Sequence, residues 1–243
     1  MQGCDGIILR KPYGPSKKEV ATKASYDVTR RLNKEFGGCS TAARWIRKVL
    51  LPLRPVCDHN ISAPLTRLLQ PVQQLDTESG FGRRHVRLSL APQLVEGFNL
   101  NRKSAFDAVV RNTVACTISR EALQATVSLP ALLPSLTFFP PGRQPYFRIT
   151  FVFGVVPDLF FALPTYEPAE KQERFAMQMV QSAWYAVQQG APALTMELQL
   201  PLAPATEAYS LMSAVGIEMG NVGPAGSPQT VQKLGCAKIL VVR

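Results

Sequence analysis

FGGCSTAARWIRKVLLPLRPVCDHNISAPLTRLLQPVQQL, residues Phe36–Leu75, is the stretch whose reading decides the fold. Ala42, Trp45, Ile46, Val49, Leu50 and Leu53 recur at steps of three and four, which puts them on one face of a helix. Arg44, Arg47 and Lys48 fall on the opposite face. After the Arg54-Pro55 break the pattern returns with Ile61, Leu65, Leu68, Leu69, Val72 and Leu75. The spacing predicts a helical hairpin with one apolar and one basic face. Gly37-Gly38 and Ser40 or Thr41 suit the entry of the first helix, and Pro52 and Pro55 suit its end. Ser62-Ala63-Pro64 suits the start of the second, because a proline in the first turn lacks only an N–H that would go unpaired there. The apolar face must lie on something, and the rest of the chain offers strands.

Beyond residue 95 the period changes to two. Phe98–Asn101, Val114–Ile118, Leu123–Leu129, Tyr146–Phe153, Thr195–Leu200, Leu211–Met219 and Cys236–Val242 all alternate, with Gly, Pro and Ser between them. Short strands separated by turn signals, without long helices, predict an antiparallel β-sandwich. Residues 170–187 suit a helix through Phe175, Met179 and Ala183, or a strand through Phe175, Met177 and Met179; a strand is preferred for the first half. The expected fold class is therefore α+β. Residues 1–35 form an extended basic arm with room for a helical turn near Tyr26–Leu32, 36–95 a helical hairpin and linker, and 96–243 a β-sandwich domain on which the hairpin packs.

Charge is uneven along the chain. Residues 1–90 carry 16 Lys/Arg against 7 Asp/Glu, while residues 91–243 carry 11 against 10. A basic N-terminal third invites a polyanionic partner, nucleic acid first and an anionic membrane second. The plainer alternative is a solvated helix face, or an arm meeting an acidic patch on another copy. The candidate polyanion contacts are Lys17, Lys18 and Lys23 on the arm, interleaved with Tyr13 and Tyr26, and Arg44, Arg47 and Lys48 on the hairpin. Ile7, Ile8, Leu9, Arg10 and Tyr13 form a short β-prone tip suited to adding a strand to a neighbouring sheet.

Catalytic patterns are scarce. The five cysteines are scattered and form no CxxC pair, so neither a disulfide framework nor a zinc site is indicated. His59, in Cys57-Asp58-His59, lacks the three or four neighbours a metal needs, and His85 lies among Arg83, Arg84 and Arg87. No GxSxG, Walker, GxGxxG or HExxH motif is present. The expectation is a non-enzymatic protein without cofactors. The opening Met-Gln-Gly-Cys-Asp-Gly has no charged leader before an apolar core. The most apolar run, Ile149–Leu163, is 15 residues broken by Pro157-Asp158, short of the ~20 that a spanning helix needs. A cytoplasmic protein without a membrane span is expected, any assembled particle leaving by lysis or a non-Sec route.

Gly6-Ile7-Ile8-Leu9-Arg10, then Thr29-Arg30-Arg31, Glu35-Phe36-Gly37, Ala42-Ala43 and Ile46-Arg47, resembles the opening of an uncharacterised family of Bacteroidota proteins of about this length. Gly97-Phe98-Asn99-Leu100-Asn101, Ala214-Val215-Gly216-Ile217-Glu218 and Ala237–Val242 are similar to later steps of that family. The many prolines, Cys39 and Cys57 depart from it. The resemblance implies a helical hairpin on a sandwich and carries no activity with it. Taken together, the residues point to a structural subunit that joins copies of itself into a homo-oligomer such as a filament, tube or phage-like particle. Arm and open sheet edges would make the joints. The alternative is a nucleic-acid-binding protein that uses the basic N-terminal third.

Overall fold

The computed structural model describes residues 14–169, 176–223 and 226–243. Its fold is α+β, with helices in the first third and antiparallel sheets after it. Helix α1 (Lys17–Thr22) starts from a reciprocal cap: Glu19 N–H donates to Ser16 Oγ at 3.2 Å, and Ser16 N–H to the Glu19 carboxylate at 2.8 Å. Helix α2 (Asp27–Val49) and helix α3 (Ser62–Gln74) are the hairpin, joined through a 3-10 turn at Leu51–Val56 that holds Pro52 and Pro55.

The helix entry predicted at residues 37–41 is corrected, because α2 begins at Asp27. The extended arm is corrected for the same reason, since residues 17–22 and 27–35 are helical. Asp27 stands in the first turn and pairs with Arg30 at 3.3 Å and Arg31 at 2.8 Å. Arg30 Nη1 also donates to the carbonyls of Val20 and Lys23, each at 2.8 Å, which folds α1 back on α2. Gly37-Gly38 reads as a helix break but lies mid-helix. A Cβ on Gly38 would stand 2.7 Å from the Tyr166 ring, so the missing side chain lets that ring approach.

The strands are β1 (Ala115–Ser119), β2 (Gln124–Leu129), β3 (Tyr146–Pro157), β4 (Leu159–Ala162), β5 (Thr165–Pro168), β6 (Met177–Gln181), β7 (Tyr185–Ala186), β8 (Leu194–Gln199), β9 (Tyr209–Val222) and β10 (Pro228–Val242). One sheet runs β1-β2-β8; the larger runs β10-β9-β3-β6, with β7 also on β3; β4 and β5 form a hairpin. All these pairs are antiparallel.

The larger sheet is covered on both sides. Phe147, Ile149, Phe151, Phe153 and Val155 of β3 share a core with Val127, Leu129 and Met196 of the smaller sheet. Val152 and Val156 face the other way, into a second core with Ile46, Val49, Leu53, Leu65 and Leu69 of the hairpin layer. Alternation puts successive side chains on opposite faces, so a sheet buried on both reads as a nearly continuous apolar run. The hairpin thus lays its apolar face on the sheet, as its stripe demands.

One further correction follows. Phe98–Asn101 is not a strand but a loop with one bridge, Asn99 to Lys238. It lies along the β10 edge, with Gly97 N–H donating to Ile239 O and Leu100 N–H to Ala237 O, each at 2.9 Å. The uncertain stretch near residue 180 contributes β6 and β7, while the part of it at 170–175 lies outside the described residues. The β4–β5 hairpin is an addition the alternation does not reveal; it sets the Tyr166 ring against α2 at Gly38, and its hydroxyl accepts from Gln73 Nε2 of α3 at 3.3 Å. No helix among the described residues is long and apolar enough to cross a membrane.

Candidate anion-binding groove

The outer face of the α2 C-terminal half carries Arg44, Arg47 and Lys48 at helical spacing, so all three project to the same side. The 3-10 turn after α2 brings Arg54 beside them, and β10 brings Lys233. These five cations line one groove of about 890 Å³. Lys233 reaches it through a bulge. Thr230 pairs with Gly220 and Gly235 with Glu218, so four residues of β10 stand opposite the single Met219 of β9. Such an excursion re-aims side chains away from the ladder. Lys233 at its crest has φ +60°, and Gly235 at its end has φ +145°. A Cβ on Gly235 would stand 2.2 Å from the Ile217 carbonyl and 2.9 Å from Val56. Glycine is therefore what allows the strand to rejoin the sheet beneath the Pro corner.

The charges of the wall are not balanced locally. Some cations of the fold are paired, as in Lys23–Glu19, Arg148–Glu218, Lys238–Asp107 and Arg243–Glu96. Among the described residues, no such pair involves Arg44, Arg47, Lys48, Arg54 or Lys233. The wall has one carboxylate, Asp58, and it faces elsewhere. Asp58 Oδ1 accepts from the Arg102 amide at 3.0 Å and meets His59 Nδ1 at 2.7 Å, while Oδ2 accepts from the amides of Arg102 and Lys103 at 3.0 and 2.8 Å. Burial pushes this carboxyl up, but those amides and the His59 ring outweigh it and hold it below the ordinary carboxylate range. Its charge is thus directed onto a neighbouring turn.

Crowding of like charge leaves a trace at Lys48. Burial, and then the charge of Arg44, lower its affinity for the proton. Its ammonium stands 3.8 Å over the Trp45 ring, a cation–π contact that steadies it. The α3 N-terminus adds a partial positive charge where Ile61 and Ser62 meet the groove. Ile61, the residue before α3, makes no side-chain cap, and Ser62 N–H donates to Asn60 Oδ1 at 2.9 Å. An anion entering the groove relieves the mutual repulsion of the five cations and meets the helix end as well. A plainer role covers part of the set: Arg47 and Lys48 lie in the last turn of α2, where cations offset the helix dipole. Arg54 lies likewise in the last turn of the 3-10 helix, and Arg44 and Lys233 have no such role.

Nucleophilic chemistry has little support here. Burial pushes the Cys57 thiol up to about 11, so it stays protonated at neutral pH, and its Sγ lies 3.5 Å from the Leu53 carbonyl.

Of the residues singled out from sequence, Arg44, Arg47 and Lys48 are brought together in the groove. Lys17 and Lys18 are exposed on α1 and Lys23 just after it; none lines the groove, and Lys23 is paired with Glu19 at 2.6 Å. Ile7, Ile8, Leu9, Arg10 and Tyr13 lie outside the described residues. Sequence reasoning missed Arg54 and Lys233. Arg54 carries a local signal, a cation between two prolines at the hairpin corner. Lys233 carries none beyond the glycine two residues later.

No protein family and no curated protein matches the chain. Among solved structures, the chain is similar to an ApaA protein from Bordetella pertussis at 18% identity, over 53% of this chain and 92% of that one. The TM-score is 0.16, which carries no argument about fold or function.

Proposed function

We propose that the protein binds nucleic acid through the phosphodiester backbone, using the groove between α2, the Pro corner and the β10 bulge. The observation that carries the reading is the convergence of five cations from two separated parts of the chain, residues 44–54 and the β10 bulge, on one concavity whose single carboxylate is turned away. Phosphate contacts of this kind supply affinity by releasing counterions. The test is fluorescence anisotropy of a labelled oligonucleotide with the wild type and the triple variant Arg44→Gln/Arg47→Gln/Arg54→Gln. All three side chains are exposed, so the fold tolerates the changes. The variant is expected to bind at least tenfold more weakly; equal binding refutes the groove.

A second reading is a structural subunit that self-assembles into a homo-oligomer. It is favoured by Val28, Leu32 and Phe36, spaced by four along α2 and 59%, 52% and 55% exposed. Thr29, Asn33 and Ser40 border this face on one side, and Arg31 and Glu35 border it on the other, so it is apolar at its centre with one uncharged margin. Sedimentation velocity of Leu32→Ser/Phe36→Ser beside the wild type tests it: association in the wild type that the variant loses supports the reading, and a monomeric wild type at high concentration ends it.

A further inference from the structure

We infer that His59 is a further anion contact of the groove and serves only as the imidazolium, so that polyanion binding takes up a proton; this rests on the nucleic-acid reading above. His59 lines the groove on the turn between the Pro corner and α3. Its Nδ1 stands 2.7 Å from Asp58 Oδ1. The same carboxylate accepts from the amides of Arg102 and Lys103, at 3.0 and 2.8 Å, which favours its charged form. An ionised carboxylate can only accept, so the proton between the two side chains sits on Nδ1.

The neutral ring is left with a bare lone pair on Nε2. That atom makes no hydrogen bond among the described residues and is open to solvent. A lone pair repels a phosphate oxygen, whereas a protonated Nε2 donates a charge-assisted bond to it. The other histidine has the opposite arrangement. Phe161 N–H donates to His85 Nδ1 at 2.9 Å, so the neutral His85 ring carries its proton on Nε2. His85 packs against the Phe160 ring at 5.2 Å and does not line the groove, which makes it an internal reference.

The surroundings of His59 add to the coupling. Arg44, Arg47 and Lys48 face the groove from α2, Arg54 and Cys57 from the Pro corner, and Lys233 from the β10 bulge, with Asp58 beside the ring. Arg102 and Lys103 stand on the turn that Asp58 holds, and α3 adds no ionisable side chain to the lining. A phosphate among these cations favours a further positive charge beside it. The effect is mutual: the proton tightens the anion by the factor by which the anion tightens the proton. Histidine side chains ordinarily change charge between about pH 5 and 8. Across that range phosphodiesters keep their charge, Asp58 stays ionised, and the Cys57 thiol, at about 11, stays neutral. Lys48, whose affinity for the proton is lowered, is the groove cation to control for.

Long-range proton–nitrogen NMR on the full chain tests the tautomers, since the chain has two histidines. Above the titration His59 is expected to carry its proton on Nδ1 and His85 on Nε2. An oligo(dT) 12-mer is expected to raise the His59 midpoint by about one pH unit, a tenfold coupling, and to leave His85 in place. Anisotropy of the same oligonucleotide, labelled, should show binding about tenfold tighter at about pH 5.5 than at about pH 8.5. His59→Gln should bind equally at both, while Lys48→Arg, which holds its charge, should keep the wild-type ratio. His59 protonated on Nε2 when neutral, a His59 midpoint unmoved by bound oligonucleotide, or a folded His59→Gln with the wild-type ratio each overturns the inference and leaves nucleic-acid binding standing. The NMR result decides alone if that variant does not fold. If no oligonucleotide binds at either pH, both the inference and the proposed function fall.

Discussion

Replacing Glu218 by alanine is expected to destabilise the larger sheet more than any surface change. Glu218 is 1% exposed, in the middle of β9. Its carboxylate accepts from Arg148 Nε at 3.0 Å and Nη2 at 2.7 Å, from Thr150 Oγ1 at 2.6 Å, from Gln181 Nε2 at 3.1 Å and from Thr230 Oγ1 at 3.0 Å. These partners lie on β3, β6 and β10, so the carboxylate, itself on β9, joins all four strands of the main path. Alanine leaves the Arg148 guanidinium with Thr230 at 3.2 Å and the Trp184 ring at 4.7 Å. Breaking a buried ion pair from one side costs ~3–5 kcal/mol. The Arg148 side chain is 24% exposed, so water recovers part of its solvation and the lower end, ~3 kcal/mol, is expected. For a chain of this size each kcal/mol moves Tm by about 2–4 °C. Glu218→Ala should therefore lower Tm by about 6–12 °C in a circular-dichroism melt. Arg148→Met/Glu218→Leu should recover most of that loss, since an apolar pair of similar volume carries no stranded charge. A drop under about 2 °C in the single variant, or a double variant worse than the single, refutes this account of the network.

Gly235→Ala places a Cβ 2.2 Å from a backbone carbonyl at φ +145°, and should lower both Tm and oligonucleotide affinity, because the same glycine ends the bulge that presents Lys233. Unchanged affinity would separate the bulge from the groove. Leu53→Ala opens a cavity between the Pro corner and the sheet, where the side chain is 0% exposed; urea denaturation should show a loss of about 2–5 kcal/mol. Asp76 gives a pH signature. Burial pushes its carboxyl up, but the amides of His85, Ser79 and Glu78 outweigh it and hold it at about 2 against an ordinary 3.8. A carboxyl depressed by folding stabilises in full above its unfolded value and loses that contribution as pH falls through the folded one. The stability gap between wild type and Asp76→Asn should be constant above about pH 5 and shrink between pH 4 and 2; a gap that does not narrow would contradict the assigned bonds.

The hairpin was legible because its core-facing residues, from Ala42 to Val72, keep helical spacing against one surface. The N-terminal third of α2 was not, because Val28, Leu32 and Phe36 face outward and Gly37-Gly38 resembles a break until Tyr166 is seen to need the space. The strands β3 and β9 could be found from their apolar runs, but only the structure separates the odd residues facing the smaller sheet from the even ones facing the hairpin. Phe98–Asn101 alternated like a strand, yet its Gly97 and Leu100 amides bond only along the β10 edge. Half of the groove could be read from one helix face, where Arg44, Arg47 and Lys48 lie together. The rest depends on a proline-bounded turn that swings Arg54 alongside and on a four-residue excursion far along the chain. Neither geometry follows from periodicity.

The most direct test of the central claim is the salt dependence of binding to a labelled oligo(dT) probe, measured from 50 to 200 mM salt on the wild type and the Arg44→Gln/Arg47→Gln/Arg54→Gln variant. Five phosphate contacts, at ~0.7 each, give a log–log slope of about −3.5 and a loss of affinity of about 100-fold across that range. The triple variant should retain a slope of about −1.4. A wild-type slope near zero, or the same slope in both proteins, would contradict a groove that binds phosphates through these side chains.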